Sequence, residues 1–188
     1  MKRLWDKGSD LNTKVHAFTV GNDPEIDKFI LPYDALGSAA HAKMLAEIGV
    51  LTQEESASIC GVLEEIFEKA VEGSFEIPNE LEDCHTAIEA YLTEKLGETG
   101  KKIHTGRSRN DQVILAVRLY AREQVVELAE SLDACIEVLL KRYKELKDIP
   151  LPGYTHMQKA MPSSMGMWLH SFMEGFLSLI RDAEAVYD

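Results

Sequence analysis

Between Arg109 and Lys147 the sequence runs for about 39 residues without a glycine or a proline. Within it Ala121, Val125, Leu128, Leu132, Cys135, Leu139 and Leu146 recur at steps of four and three, with Arg142 at the one polar position. A second stripe of Val126, Ala129, Ile136, Leu140 and Tyr143 widens the apolar face. This is the spacing of an α-helix, and at 1.5 Å of rise per residue it extends roughly 58 Å. A chain of 188 residues does not need a helix that long. One that is apolar on more than one side requires several partner helices. Two helices with an unmarked break are the alternative.

The remaining segments also read as helix. Thr52-Gln53-Glu54-Glu55 is a capping box, in which Thr52 accepts from a first-turn amide while Glu55 reaches back. It precedes Ile59, Val62, Leu63, Ile66, Phe67, Ala70 and Val71 on one helical face, with Gly73 as the stop. Upstream, Pro32 leads into Leu36, Ala40, Met44 and Ile48, closed by Gly49; downstream, Cys84, Ile88, Leu92 and Leu96 end at Gly97. Pro150, Pro152 and Gly153 force a turn. Pro162 then opens a last helix bearing Trp168, Leu169, Phe172, Met173, Phe176, Leu177 and Ile180. Five of the seven methionines fall between Met157 and Met173, where core packing explains them better than a metal or cofactor. No strand alternation or repeat is evident, so the expected class is all-α. The apolar helix reaching Val186-Tyr187-Asp188 carries no terminator, which leads us to expect that the native sequence continues.

Charge narrows the function. Acidic residues outnumber basic ones 32 to 20, a net charge of −12 that opposes general binding to nucleic acid or anionic membrane. Cys60, Cys84 and Cys135 form no CxxC pair and imply neither a disulfide framework nor a zinc cluster. The opening Met1-Lys2-Arg3-Leu4-Trp5-Asp6 has no signal-peptide core and no long apolar run follows, so a cytoplasmic location is expected. Yet Lys101, Lys102, Arg107, Arg109, Arg118 and Arg122 face only Asp111 between residues 99 and 122. This segment is either a device for an anion or a solvated basic loop paired to the acidic stretch before it.

Residue identity favours the anion. His104-Thr105-Gly106-Arg107-Ser108-Arg109-Asn110-Asp111-Gln112 sits just ahead of the long helix. A helix N-terminus offers unpaired amides and partial positive charge. Gly106 lets backbone approach a ligand, Arg107 and Arg109 supply charge, and Ser108 and Asn110 supply donors, a composition suited to a carboxylate or phosphate. Gly153-Tyr154-Thr155-His156-Met157-Gln158 is a second polar cluster at a turn before a helix. His156 is suited to proton transfer near neutral pH, though a lone histidine is more often structural. In the third cluster, Glu82 to Glu89, His85 and Glu89 are one helical turn apart. No second histidine stands at helical spacing, so no metal site is assigned.

Together these segments resemble argininosuccinate lyase: Gly37-Ser38-Ala39-Ala40-His41-Ala42, Gly49-Val50-Leu51-Thr52, Glu82-Asp83-Cys84-His85, His104 through Gln112-Val113, and Pro152-Gly153-Tyr154-Thr155-His156 with Gln158. The resemblance spans the chain in order, and the His104–Gln112 run is specific within the fumarase/aspartase-type superfamily. It implies an all-α homotetramer with a small N-terminal helical domain (1–106) followed by the start of a central long-helix bundle (107–188). Active sites would be shared between subunits. It implies reversible cleavage of argininosuccinate to arginine and fumarate with no cofactor and no metal. By the same resemblance Ser108, Arg109, Asn110, Thr155 and His85 bind substrate, and His156 does acid/base work.

Two departures stand beside it. The family usually begins Leu-Trp-Gly-Gly-Arg-Phe, followed soon by a substrate-binding serine; here Leu4-Trp5 continues Asp6-Lys7-Gly8-Ser9, and Phe18-Thr19-Val20-Gly21-Asn22-Asp23 holds no serine. The family chain is also more than twice this length, and its mobile Gly-Ser-Ser loop, regarded as the source of the carbon-proton base, has no counterpart here. The expectation is that these 188 residues alone have little or no activity. Competing readings are another superfamily lyase acting on adenylosuccinate, aspartate or fumarate, and a non-catalytic structural or assembly module.

Overall fold

Helix starts and stops in this chain are set by local chemistry that a computed structural model, describing residues 13–78 and 81–187, makes explicit. The Leu4–Ser9 departure lies outside the described residues. Helices α1 (Thr13–Val20) and α2 (Asp23–Ile26) lead through a 3-10 turn at Asp27–Phe29 into α3 (Leu31–Glu47), which has Pro32 in its first turn. The capping box forms as expected at the start of α4 (Gln53–Val71): Glu55 N–H donates to Thr52 Oγ1 and Thr52 N–H donates to Glu55 Oε2. Gly49, Gly73 and Gly97 adopt positive φ just past their helices, a conformation that side-chain-bearing residues resist. Asp83 caps α5 (Cys84–Leu96) by accepting from Thr86 N–H at 2.7 Å. A short α6 (Glu98–Lys101) and a 3-10 turn at Lys102–His104 follow. Helix α7 is then unbroken from Arg109 to Leu146, 38 residues.

The chain divides into two units, one through Tyr120 and one from Ala121. In the first, α3, α4 and α5 enclose a core in which Ile59, Leu63 and Ile66 of α4 meet Leu31, Leu45, Ile88 and Leu92. Burying each such side chain is worth about 1.5–3 kcal/mol, so packing rather than propensity holds these helices. The expected apolar face of α4 is buried or half-buried apart from Val71, and that of α5 is buried apart from half-buried Leu96.

The face expected for α3 is not the packed one. Leu36, Met44 and Ile48 are 49%, 39% and 63% exposed, while Leu31, Ala35, Ser38, Ala42 and Leu45 face the core. Small residues win because they let α4 approach: Ser56 Oγ donates to the Ala42 carbonyl at 3.1 Å, and Cys60 Sγ lies 3.7 Å from the Ala39 carbonyl.

In the second unit, α7 is followed by a β-hairpin that the sequence does not announce. Strand β1 (Pro150–Thr155) pairs antiparallel with β2 (Gln158–Ser164), and Pro152 stands opposite Pro162. Pro162 therefore does not open the last helix; α8 begins at Met165 and runs to Tyr187. A two-stranded ribbon is all edge, which is where prolines are tolerated in sheets. Tyr143 approaches His170 and Arg122 lies over the Tyr187 ring at 4.3 Å, so α7 and α8 run antiparallel. Only Leu169 and Met173 among their large apolar residues in this unit are buried, whereas Leu128, Val138, Trp168 and Leu179 are half or more exposed.

Two glycines test this packing. A Cβ on Gly100 would lie 2.3 Å from the Leu92 carbonyl oxygen, whereas one on Gly61, exposed on α4, meets nothing within 4 Å. Gly61→Ala should raise unfolding stability by about 0.5–1 kcal/mol. Gly100→Ala should lower it by about 1–3 kcal/mol. Urea denaturation of both variants checks the contrast.

Candidate functional site

The polar loop ahead of α7 is shaped by its own residues. Gly106 takes a φ of +70°, and the Ser108 amide donates to Asp111 Oδ2 at 2.8 Å, which fixes the first turn of α7. That bond, more than the nearby positive charge of Arg107, holds the exposed Asp111 carboxyl below its usual range. His41, on α3, pins the same loop from the other side through Nε2 and the Thr105 carbonyl at 3.0 Å.

The two loop arginines part company. Arg109 is half-buried against the start of α5, where it pairs with Asp83 and donates to Thr86 Oγ1. Arg107 turns inward and donates through Nη1 to Ser38 Oγ at 3.1 Å. Its Nε and Nη2, with both amide atoms of Gln112, are buried without a hydrogen-bond partner among the described residues. Arg107, Gln112, Asp34, His41 and Tyr33 line a cavity of about 490 Å³. Ser108 and Asn110 remain exposed at the surface of the loop.

His85 lies beneath this loop rather than on it. Its ring is 2% exposed, and Nδ1 is 2.6 Å from Oδ2 of the equally buried Asp34. Asp34 Oδ1 accepts from Ser38 Oγ at 3.2 Å. Glu89, one turn along from His85, pairs instead with His104 Nδ1 at 2.7 Å. Ligand atoms of Asp34, Cys84 and His85 all lie within 4.8 Å of one another. Burial pushes the Cys84 thiol well above its usual range, which keeps it protonated and unsuited to a cation. The arrangement is a hydrogen-bond network.

Ser108, Arg109, Asn110 and His85 thus gather in the first unit around α3, the start of α5 and the start of α7. Thr155 and His156 belong to the second unit, at the tip of its hairpin. His156 and Met157 form the two-residue turn, with φ of +48° and +62°, and Met157 is 97% exposed. Asp34, Ser38 and the Glu89–His104 pair carry no role in the sequence reading. The available signal is that Asp34 and Ser38 interrupt the buried side of α3.

Comparison with known proteins follows the same residues. A family model described as Lyase matches residues 13–184. Argininosuccinate lyase of Bacteroides fragilis is 44% identical over 181 residues, covering 96% of this chain and 40% of that protein. The argininosuccinate lyase of Thermotoga neapolitana is 44% identical over 194 residues, covering 100% and 47%. Among solved structures, a variant of EDDS lyase with bound fumarate matches with a TM-score of 0.74 at 26% identity, over 96% of this chain and 35% of that one. A class II fumarase from Schistosoma mansoni shares the fold, with a TM-score of 0.69 at 19% identity over 88% and 40%. The chain therefore spans less than half the length of the curated relatives it matches.

His41 offers a pH test of the loop. Burial first, and then Arg107, push its imidazole below the ordinary 6.5 despite the bond to the Thr105 carbonyl. The folded state then binds the proton less tightly than the unfolded chain. The resulting stability is fully present above about pH 6.5 and is lost as pH falls through the lowered value. An NMR titration should give His41 a midpoint below that of the denatured protein. His41→Gln should flatten the loss of stability between about pH 7 and 5. A midpoint at or above the denatured value contradicts this.

Proposed function

The chain belongs to the lyase family whose model spans its residues 13–184, and on that premise we propose that it is the N-terminal part of an argininosuccinate lyase. The supporting observation is the 44% identity to argininosuccinate lyases over nearly the whole chain. The run from His104 to Gln112 also leaves Ser108 and Asn110 exposed at the start of a 38-residue helix.

The reaction is β-elimination. A base removes a proton from the carbon beside a substrate carboxylate, and the electron pair is held as an aci-carboxylate. The bond to the guanidinium nitrogen then breaks, an acid protonates that nitrogen, and arginine and fumarate separate. The intermediate concentrates negative charge on one carboxylate, so fixed donors aimed there lower the barrier most. Ser108 and Asn110 supply such donors, and Arg109, held by Asp83 and Thr86, supplies charge in a fixed place. Thr155 contacts substrate, His156 performs acid/base work from the hairpin tip, and His85 contacts substrate from beneath the loop. The base on carbon comes from outside these residues. Neither a cofactor nor a metal has a role in this chemistry.

In the proposed assembly, residues 1–106 are the N-terminal helical domain and 107–188 begin the central bundle. The exposed Leu128, Val138, Trp168 and Leu179 are covered by helices of other copies in a homotetramer. A cytoplasmic location belongs to the same reading. No helix among the described residues is long and apolar enough to cross a membrane.

The test is fumarate production from argininosuccinate, followed by ultraviolet absorbance, in a lyase assembled with this chain as its N-terminal part. His156→Ala or Asn110→Ala should each lower kcat at least ~100-fold, the scale of one acid/base or oxyanion group. Wild-type turnover in either variant removes that residue from the site. Turnover of adenylosuccinate or aspartate in place of argininosuccinate overturns the substrate assignment. Purified alone, the 188-residue chain should release no fumarate.

A further inference from the structure

The buried network behind the loop has a direction. Ser38 Oγ carries a single proton. Arg107 can only donate, and its Nη1 donates to Ser38 Oγ at 3.1 Å. The proton of Ser38 is therefore spent on Asp34 Oδ1, 3.2 Å away. The other carboxylate oxygen lies 2.6 Å from His85 Nδ1, and because a carboxyl is a far stronger acid than an imidazolium, the proton between them stays on Nδ1. Asp34, Ser38 and His85 are each 2% exposed or less, so these bonds are made in a largely desolvated place. A proton must sit between Nδ1 and the carboxylate, which leaves Nε2 as the ring nitrogen free to exchange. Nε2 has no hydrogen-bond partner among the described residues.

We infer that Asp34 and Ser38 are positioning residues: they hold His85 with Nδ1 protonated and Nε2 as its working nitrogen, and through Arg107 they tie that ring to the segment Ser108–Asn110. A network of buried polar groups gains little stability over well-packed apolar residues. What it supplies is orientation, because an imidazole can otherwise present either nitrogen and either face. Arg107 immediately precedes Ser108, so a shift of the ring and a shift of the loop cannot occur independently. The value of this coupling to substrate rests on the lyase reading above; the coupling itself does not.

The experiment is long-range ¹H–¹⁵N NMR of the His85 ring in the 188-residue protein, recorded on the neutral ring. In the wild type Nδ1 should show the shift of a protonated nitrogen and Nε2 that of a bare one. A ring that settles with Nε2 protonated and Nδ1 bare overturns the inference.

Asp34→Ala removes both acceptors, so Nδ1 loses its partner and the Nε2–H form should appear. An unchanged Nδ1–H ring in folded Asp34→Ala protein excludes Asp34 from the role. Should that variant not fold, the wild-type spectrum and Ser38→Ala decide. Ser38→Ala should keep Nδ1–H but shift the backbone amides of Ser108 to Asn110, and unmoved amides overturn the link to the loop. Failure of the lyase assay would leave all these spectra as they are, so the two readings fail separately.

Discussion

A carboxyl group taken out of water must be given partners, and Asp34 is taken out of water almost completely. Its two oxygens are met by a hydroxyl from its own helix and an imidazole from α5, and the hydroxyl is met in turn by an arginine from the loop before α7. Three segments distant in sequence are thereby held in one arrangement by groups that have few alternatives. Removing any of them strands another in a place where desolvation is not recovered, a cost of about 1–3 kcal/mol for a neutral group and more for a charged one. The loop that displays Ser108 and Asn110 is secured from behind, and so is the ring of His85.

The two units solve the packing problem differently. In the first, three helices close on a core whose central members are almost fully buried. Small residues on α3 allow close approach, and polar side chains from α4 bond directly to its backbone carbonyls. In the second, α7 and α8 lie antiparallel with little fully buried between them, while large aliphatic and aromatic residues face outward. Apolar surface of that kind is stabilised only when something covers it. The hairpin between these helices carries a histidine in its turn at positive φ, an uncommon backbone state for that residue.

Much of this was legible residue by residue. The capping box at Thr52, the glycine stops at Gly49, Gly73 and Gly97, the buried face of α5 and the unbroken α7 all follow from interactions within a few residues of each other. The hairpin was not legible, because its prolines argue against strands and only the pairing of β1 with β2 supplies the missing support. The packed face of α3 was misread for a related reason: hydrophobicity points to Leu36, Met44 and Ile48, but the partner helix selects the side with the smallest residues. In the candidate site, the loop from His104 to Gln112 stands out by composition, yet its two arginines have opposite fates that composition does not distinguish.

What the sequence by itself determined is the helical character of the chain, the length of α7, and the identity of the polar segments, since periodicity, capping and glycine placement act over short range. What only the tertiary structure decided is which polar groups are spent on one another. Asp34 and His85 are 51 residues apart, and Arg107 and Ser38 are 69 apart. Nothing local makes them partners. They are chosen because the fold buries Asp34, Ser38 and His85 side by side against the inward-turned Arg107, where these groups bond to one another.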